Sequence, residues 1–243
     1  MSRPEPVTEP RARLSKERVL RAAVALAVRD GIESLTMRKL ADELGAGAMS
    51  LYHHVPNKEQ LLDGMIDIVF SEIESPPTDV DWKTAMRKRA VSTRETLARH
   101  RWAIGLMEGR TTHGPGNLSL HNAVLGCLRA AGFSLEATVH AYSVLDAYIY
   151  GFALQESDMS SENAEDFAAE AQRQMHEYEA VLAEYPYLVE VVGGYVAESG
   201  YDYATEFLFG LDLILDGLDR LRDASERKHL TARPPPEPRG LSK

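Results

Sequence analysis

The stretch Thr36-Met37-Arg38-Lys39-Leu40-Ala41-Asp42-Glu43-Leu44-Gly45-Ala46-Gly47-Ala48-Met49-Ser50-Leu51-Tyr52-His53-His54-Val55-Pro56-Asn57-Lys58 decides how the chain is read. It spells a short helix with small Ala41 at its middle, a glycine at the turn, and a second helix over roughly Ala48 to His54 that Pro56 closes. Two helices that cross steeply ~8–10 Å apart leave little room beyond a methyl group, which suits Ala41. The tight turn needs a residue that takes positive φ without strain, which suits Gly45. Met49 or Leu51, with Val55, packs the second helix. This is the spacing of a helix-turn-helix, and an ordinary helical hairpin shares it.

Upstream, Ser15 is a candidate N-cap for a helix that shows Val19, Leu20, Ala23, Leu26 and Ala27 on one face before Gly31 stops it. Downstream, Asn57 with Gln60 three residues on forms a capping-box-like start to a longer helix bearing Leu61, Leu62, Met65, Ile66, Val69 and Phe70. Pro76, Pro77 and the acidic run at 79–81 break the pattern. Beyond it the apolar period predicts helices near 82–99, 102–108, 117–131, 134–155, 164–184, 187–198 and 202–222, with polar loops at 109–116 and 157–163. No sustained period of two appears, so the expected class is all-α: an N-terminal three-helix head with a helix-turn-helix motif, plus a C-terminal helical bundle. The expected organisation is a disordered basic arm over 1–14, the head over 15–60, a helical body over 61–228 and a disordered Pro-rich tail over 229–243.

Composition agrees with a globular chain: of 243 residues, 44% are hydrophobic and 26% charged. Asp146, Asp212 and Asp216 interrupt the longest apolar stretches, so no bilayer span and no membrane partner are expected. Met1 to Arg13 lack the apolar core of a secretory signal, and the lone Cys127 forms neither an internal disulfide nor a Cys-based zinc site; both fit the cytoplasm. The net charge of −10 is segregated, with ten Lys and Arg against eight Asp and Glu in residues 1–60 and 17 against 29 in the rest. A polyanion partner belongs to the head, because the body repels it. No phosphate loop, nucleophile elbow or zinc-protease helix is present, Cys127 sits between Leu125 and Leu128, and the one E-x-x-H pair, Glu226 to His229, falls at the end of the last helix. No enzyme, cofactor or metal site is expected.

Thr36 to Ala41, Leu51-Tyr52-His53-His54-Val55, Asn57-Lys58 and Leu61-Leu62 together resemble the DNA-binding head of the tetracycline-repressor (TetR) family of bacterial regulators, without a gap from about Ser15 to Phe70. The resemblance implies a head fused to a body that dimerises and binds a small molecule, with transcription repressed until that molecule binds. Physical reasoning assigns roles residue by residue. Thr36, at a helix start, offers a phosphate its hydroxyl and the free N–H groups there. Arg38 reaches a phosphate or a guanine edge, Tyr52 and His54 position phosphates, and Lys58 adds a point charge. Ser50 and His53 are candidates for base contacts, and Ala48 or Met49 for apolar contact with a thymine methyl. The recognition helix opens Gly47-Ala48-Met49 and so brings few donors, which leaves DNA shape a share of the specificity. Arg11, Arg13, Lys16 and Arg18 extend the electrostatic footprint.

Weaker resemblance continues through Gly132-Phe133-Ser134-Leu135 and Phe207 to Leu218. Counting from those anchors, the family's metal-holding His and Glu fall at Met107 and Gln155, neither of which suits hard Mg²⁺. Magnesium-tetracycline is therefore not the expected inducer. The same count places pocket positions at Arg89, Thr93, Met107, His121, Val124, Tyr142, Asp146 and Gln155, with Trp102, Tyr148 and Phe152 as aromatic walls; the alternative is a filled core. Asp146, on an apolar helix face, is expected to pair with Arg89 or His121. Gly210 and Gly217 allow close helix approach across a two-fold axis. The expected function is a dimeric, ligand-responsive repressor of a near-palindromic, double-stranded operator, released by a small-molecule inducer; the rival is a helical small-molecule-binding protein without DNA activity.

Overall fold

A computed structural model describes residues 13–107, 113–157, 164–196 and 200–231, and among them every regular element is helical. The chain divides into two compact units, Met1–Glu72 with Arg99–Leu118, and Ile73–Ala98 with Ser119–Lys243.

The first unit is built on α1 (Lys16–Asp30), α2 (Met37–Leu44), α3 (Ala48–Tyr52) and α4 (Lys58–Glu72). Ser15 caps α1 by accepting the Arg18 N–H, Thr36 caps α2 through Lys39 N–H, and Asn57 caps α4 through Gln60 N–H at 2.8 Å. Gly45 ends α2 in the left-handed region, with φ 60°. Each cap contributes about 1 kcal/mol, whereas emptying one buried leucine costs about 2–5, so the core decides the fold and the caps set its boundaries. That core joins Val19, Ala23, Leu26, Leu40, Ala41, Leu51, Val55, Leu61 and Met65. Gly64 lets α1 and α4 cross closely, since a Cβ there would stand 2.6 Å from a Leu20 methyl. The helix expected to reach His54 stops at Tyr52; His53 follows in αR conformation and the His54 N–H returns to Leu51 O. A short 3₁₀ turn at Arg101–Ala103 and α6 (Ile104–Met107) replace the single helix expected at 102–108.

α7 (Pro115–Ala130) begins in the first unit and continues into the second, which also holds α5 (Trp82–Arg99), α8 (Leu135–Ser157), α9 (Ala164–Glu177), α10 (Glu179–Leu182), α11 (Pro186–Leu188), a π-helical segment (Val189–Val196) and α12 (Tyr203–Thr231). Gly132 closes α7 at φ 93°, and Ser134 caps α8 by accepting the Ala137 N–H. Trp82 meets Phe133 edge to face at 4.9 Å, and α8 lies along α12 through Ile149, Phe152, Phe207 and Leu211. The helix expected over 164–184 breaks at Tyr178, and adjacent Gly193 and Gly194 sit in the π-helical turn, where their small size tolerates the widened spiral. Residues 1–12 and 232–243, and with them most of the expected arm and tail, lie outside the described residues, as do residues 108–112 and 158–163 of the expected loops. The side chains of Glu226 and His229 lie outside them too. No described helix is long and apolar enough to cross a membrane.

Candidate functional site

In the head, α3 turns one residue inward and the rest outward. Leu51 is fully buried with Val55, which settles the choice between Met49 and Leu51: Met49 is 75% exposed. Ala48, Ser50, Tyr52 and His53 are exposed beside it and His54 is half-buried. Tyr52, at 41% exposure, is not a core aromatic. Thr36, Arg38 and Lys58 are exposed at the flanking helix starts, and neither Arg38 nor Lys58 makes an ion pair with another described residue. The neighbouring cations behave differently. Arg29 bonds Glu43 at 3.0 Å and Lys39 bonds Asp30 at 2.8 Å, a network that joins the end of α1 to α2. Hydrogen bonds from Lys39 and Arg29 hold the Asp30 carboxyl below its ordinary pKa, and Arg29 does the same to Glu43. Arg38 and Lys58 thus keep charge to offer a partner.

In the second unit Asp146 meets Arg89, the first of its two expected partners, at 2.8 Å. Arg89 is 3% exposed and its Nε finds no hydrogen-bond partner among the described residues. Thr93, fully buried one turn along α5, donates its hydroxyl to the Arg89 carbonyl at 2.8 Å. Burial first, then the charge and hydrogen bonding of Asp146, push the Tyr142 phenol above its ordinary pKa. Burial and the same carboxylate raise Tyr150, a member of the cluster that sequence reading missed; its position two turns after Tyr142 on α8 was the available signal. His121 lies against Tyr142 with ring centroids 5.4 Å apart, and Val124 is buried on the same helix. The result is a polar cluster with one buried cation, one carboxylate, aromatic faces and one unanswered donor.

The other expected pocket residues make other contacts. Tyr148 and Phe152 close on Phe207, stacked at 5.5 Å and edge-on at 5.2 Å, beside the Arg94–Glu156 pair at 2.8 Å. The Tyr148 hydroxyl donates to Phe207 O at 2.9 Å. Gly210 serves that contact: a Cβ there would collide with the Tyr148 ring and hydroxyl, so this glycine accommodates a neighbour within its own unit, whereas a Cβ on Gly217 would meet Arg220 Nη2 at an ordinary 3.9 Å. Gln155 is exposed. Trp102 lies in the first unit, edge-on to His100 at 6.0 Å and packed on the head's core. Met107 is there as well, lining a cavity of about 10 Å³ with Asp63, Asp67 and Asn117. A soft thioether and an exposed amide do not make a magnesium donor set, and no three His, Cys, Asp or Glu side chains converge among the described residues. Cys127 is half-buried, and burial followed by the charge of Asp81 raises its thiol pKa, which keeps it protonated.

The chain is similar to known proteins along most of its length. Residues 19–65 match the model of bacterial regulatory proteins of the tetR family, and residues 75–222 match the tetracyclin repressor-like C-terminal domain. The chain is 33% identical over 228 residues to the HTH-type transcriptional repressor DrrR1 of Streptomyces coeruleorubidus, covering 89% of this chain and 81% of that protein. The structure of Streptomyces coelicolor ActR with actinorhodin superposes with a TM-score of 0.72 at 29% identity, covering 87% of this chain and 99% of ActR. That of the class A tetracycline repressor with 5a,6-anhydrotetracycline and magnesium gives 0.59 at 27% identity, over 85% of this chain and 99% of the other. The matches over head and body, with the 33% identical repressor, show the family: the chain belongs to the TetR family of DNA-binding, ligand-responsive transcriptional repressors.

Proposed function

We propose that the chain acts as a homodimer that holds a near-palindromic operator and releases it when a small molecule other than magnesium-tetracycline enters the Arg89–Asp146 cluster. The observation that carries the DNA half is α3, which buries only Leu51 and offers Ala48, Met49, Ser50, Tyr52 and His53 to solvent. Thr36, Arg38, His54 and Lys58 are the phosphate-positioning set around it. For dimerisation, Leu135 at 74%, Phe209 at 63% and Leu213 at 58% exposure leave apolar stripes on α8 and α12, the kind of surface a partner subunit covers.

The ligand half rests on Arg89. A buried N–H without an acceptor costs about 1–3 kcal/mol, so an incoming oxygen that accepts from Nε gains that amount over solvent. Aromatic faces at His121 and Tyr142 favour a flat ring system, and buried Thr93 and Val124 lie on the same helices as Arg89 and His121. The inducer class is therefore an aromatic compound bearing a carbonyl or phenolate oxygen. The complexes of ActR with actinorhodin and of the class A repressor with 5a,6-anhydrotetracycline support a small-molecule ligand.

Removing Asp146 alone is a poor test, because breaking one partner of a buried ion pair costs about 3–5 kcal/mol. The double variant Arg89→Met with Asp146→Leu removes both charges at similar volume and is expected to stay folded. Wild-type protein is screened by thermal shift against polycyclic quinones and phenols, where saturation at 100 times Kd stabilises by about 2.7 kcal/mol. The hits are expected to lose their shift on the double variant while its DNA binding persists. Equal shifts on both proteins would place the ligand elsewhere.

A further inference from the structure

We infer that Asp67 is a positioning residue: it latches α4, and with α4 the recognition helix, to the start of α7. The first turn of a helix leaves N–H groups without partners, and the usual remedy is a Ser, Thr, Asp or Asn side chain on the residue just before it. In α7 that residue is Gly114, whose carbonyl accepts the Leu118 N–H at 3.0 Å but which has no side chain to give. The missing oxygen comes from another helix. Asp67 Oδ1, on α4, accepts the Asn117 N–H at 2.9 Å, and its negative charge also suits the positive end of α7.

Two glycines admit it. A Cβ on Gly114 would fall on the Asp67 carboxyl group, so the ordinary local cap and the borrowed one exclude each other. A Cβ on Gly116 would stand 2.7 Å from the Asp67 carbonyl oxygen and collide with Ser71 Oγ. Ser71 in turn donates to that carbonyl at 2.8 Å, so α4 fits the opening of α7 along more than one turn. α4 begins at Lys58, directly after the helix-turn-helix, and α7 carries His121 and Val124 one and two turns beyond Asn117. The inference rests on the reading of α3 as the recognition helix.

The test uses full-length protein and a duplex recovered by in vitro selection from a random pool with the wild type. Asp67→Ala is expected to lower both the thermal midpoint and the affinity for this duplex, the affinity at least fivefold, because an untied α4 must be ordered on binding. Asp67→Ala combined with Gly114→Ser returns a cap to α7 from its own chain without retying α4. The midpoint is expected to recover and the affinity to stay at least fivefold down. Asp67→Asn, which keeps an acceptor oxygen, is expected to hold affinity within twofold of wild type. Recovery of affinity together with the midpoint in the double variant reduces Asp67 to a helix cap, and unchanged or raised affinity in Asp67→Ala overturns the latch outright. If selection with wild type recovers no duplex, the DNA-reading role of α3 fails and takes the latch with it.

Discussion

Met49 has no packing reason to stand in the middle of α3. At 75% exposure it gains nothing from the fold, yet a flexible thioether in a major groove meets thymine methyl groups well. Met49→Ala is expected to cost about 1–3 kcal/mol of discrimination at one base position and little at the others. Lys58→Ala acts differently, since a phosphate contact carries no sequence information: it is expected to weaken all duplexes alike and to lower the salt slope by about one. Titrations against single-base variants of the duplex at two salt concentrations separate the two. A uniform loss from Met49→Ala would remove it from base reading.

The join between α1 and α2 is electrostatic at its outer edge. Asp30 and Glu43 have pKa values held below their ordinary 3.8 and 4.5 by Arg29 and Lys39. A depressed carboxylate contributes its stability above the ordinary value and loses it as pH falls through the depressed one. The head is therefore expected to melt at a constant temperature from neutral pH down to about 5 and at lower temperatures below about 4. Trp102, packed on this core, reports the transition in a Trp82→Phe background. Glu43→Gln is expected to shallow the acid limb; an identical limb would assign it to other carboxylates.

Legibility in the sequence followed the same local logic. Ser15, Gly31, Thr36, Gly45 and Asn57 announce helix ends because caps and left-handed turns are decided within a few residues. Whatever depends on distant pairs was half visible. Asp146 had to be paired, and only packing shows that Arg89 is a partner. Counting along the chain did not show that Trp102 and Met107 fall in the first unit. Gly210 read as room for a second subunit, and within its own chain it also makes room for Tyr148. The Asp67 cap had only a faint signature, a helix opening Gly-Pro-Gly-Asn with nothing at the capping position.

At the scale of the molecule, charge is partitioned by use. Lys83 bridges Asp216 and Asp219 at 2.9 Å each and Arg87 bonds Asp212 at 2.9 Å, so cations of α5 are consumed by α12 within the second unit. Arg38 and Lys58 in the head remain available. The exposed Phe209 and Leu213 on α12 then set the assembly: Leu213→Glu places a charge in the proposed interface and is expected to yield a monomer on analytical ultracentrifugation, with operator affinity reduced at least tenfold through loss of the second half-site. The most direct test of the whole account is an anisotropy titration of wild-type protein against short duplexes tiling the DNA upstream of its own gene, at two salt concentrations. Tight binding of two subunits to one near-palindromic duplex, lost in Arg38→Ala, is the expected result. Weak binding to every duplex alike, vanishing with salt and indifferent to Arg38, would contradict it.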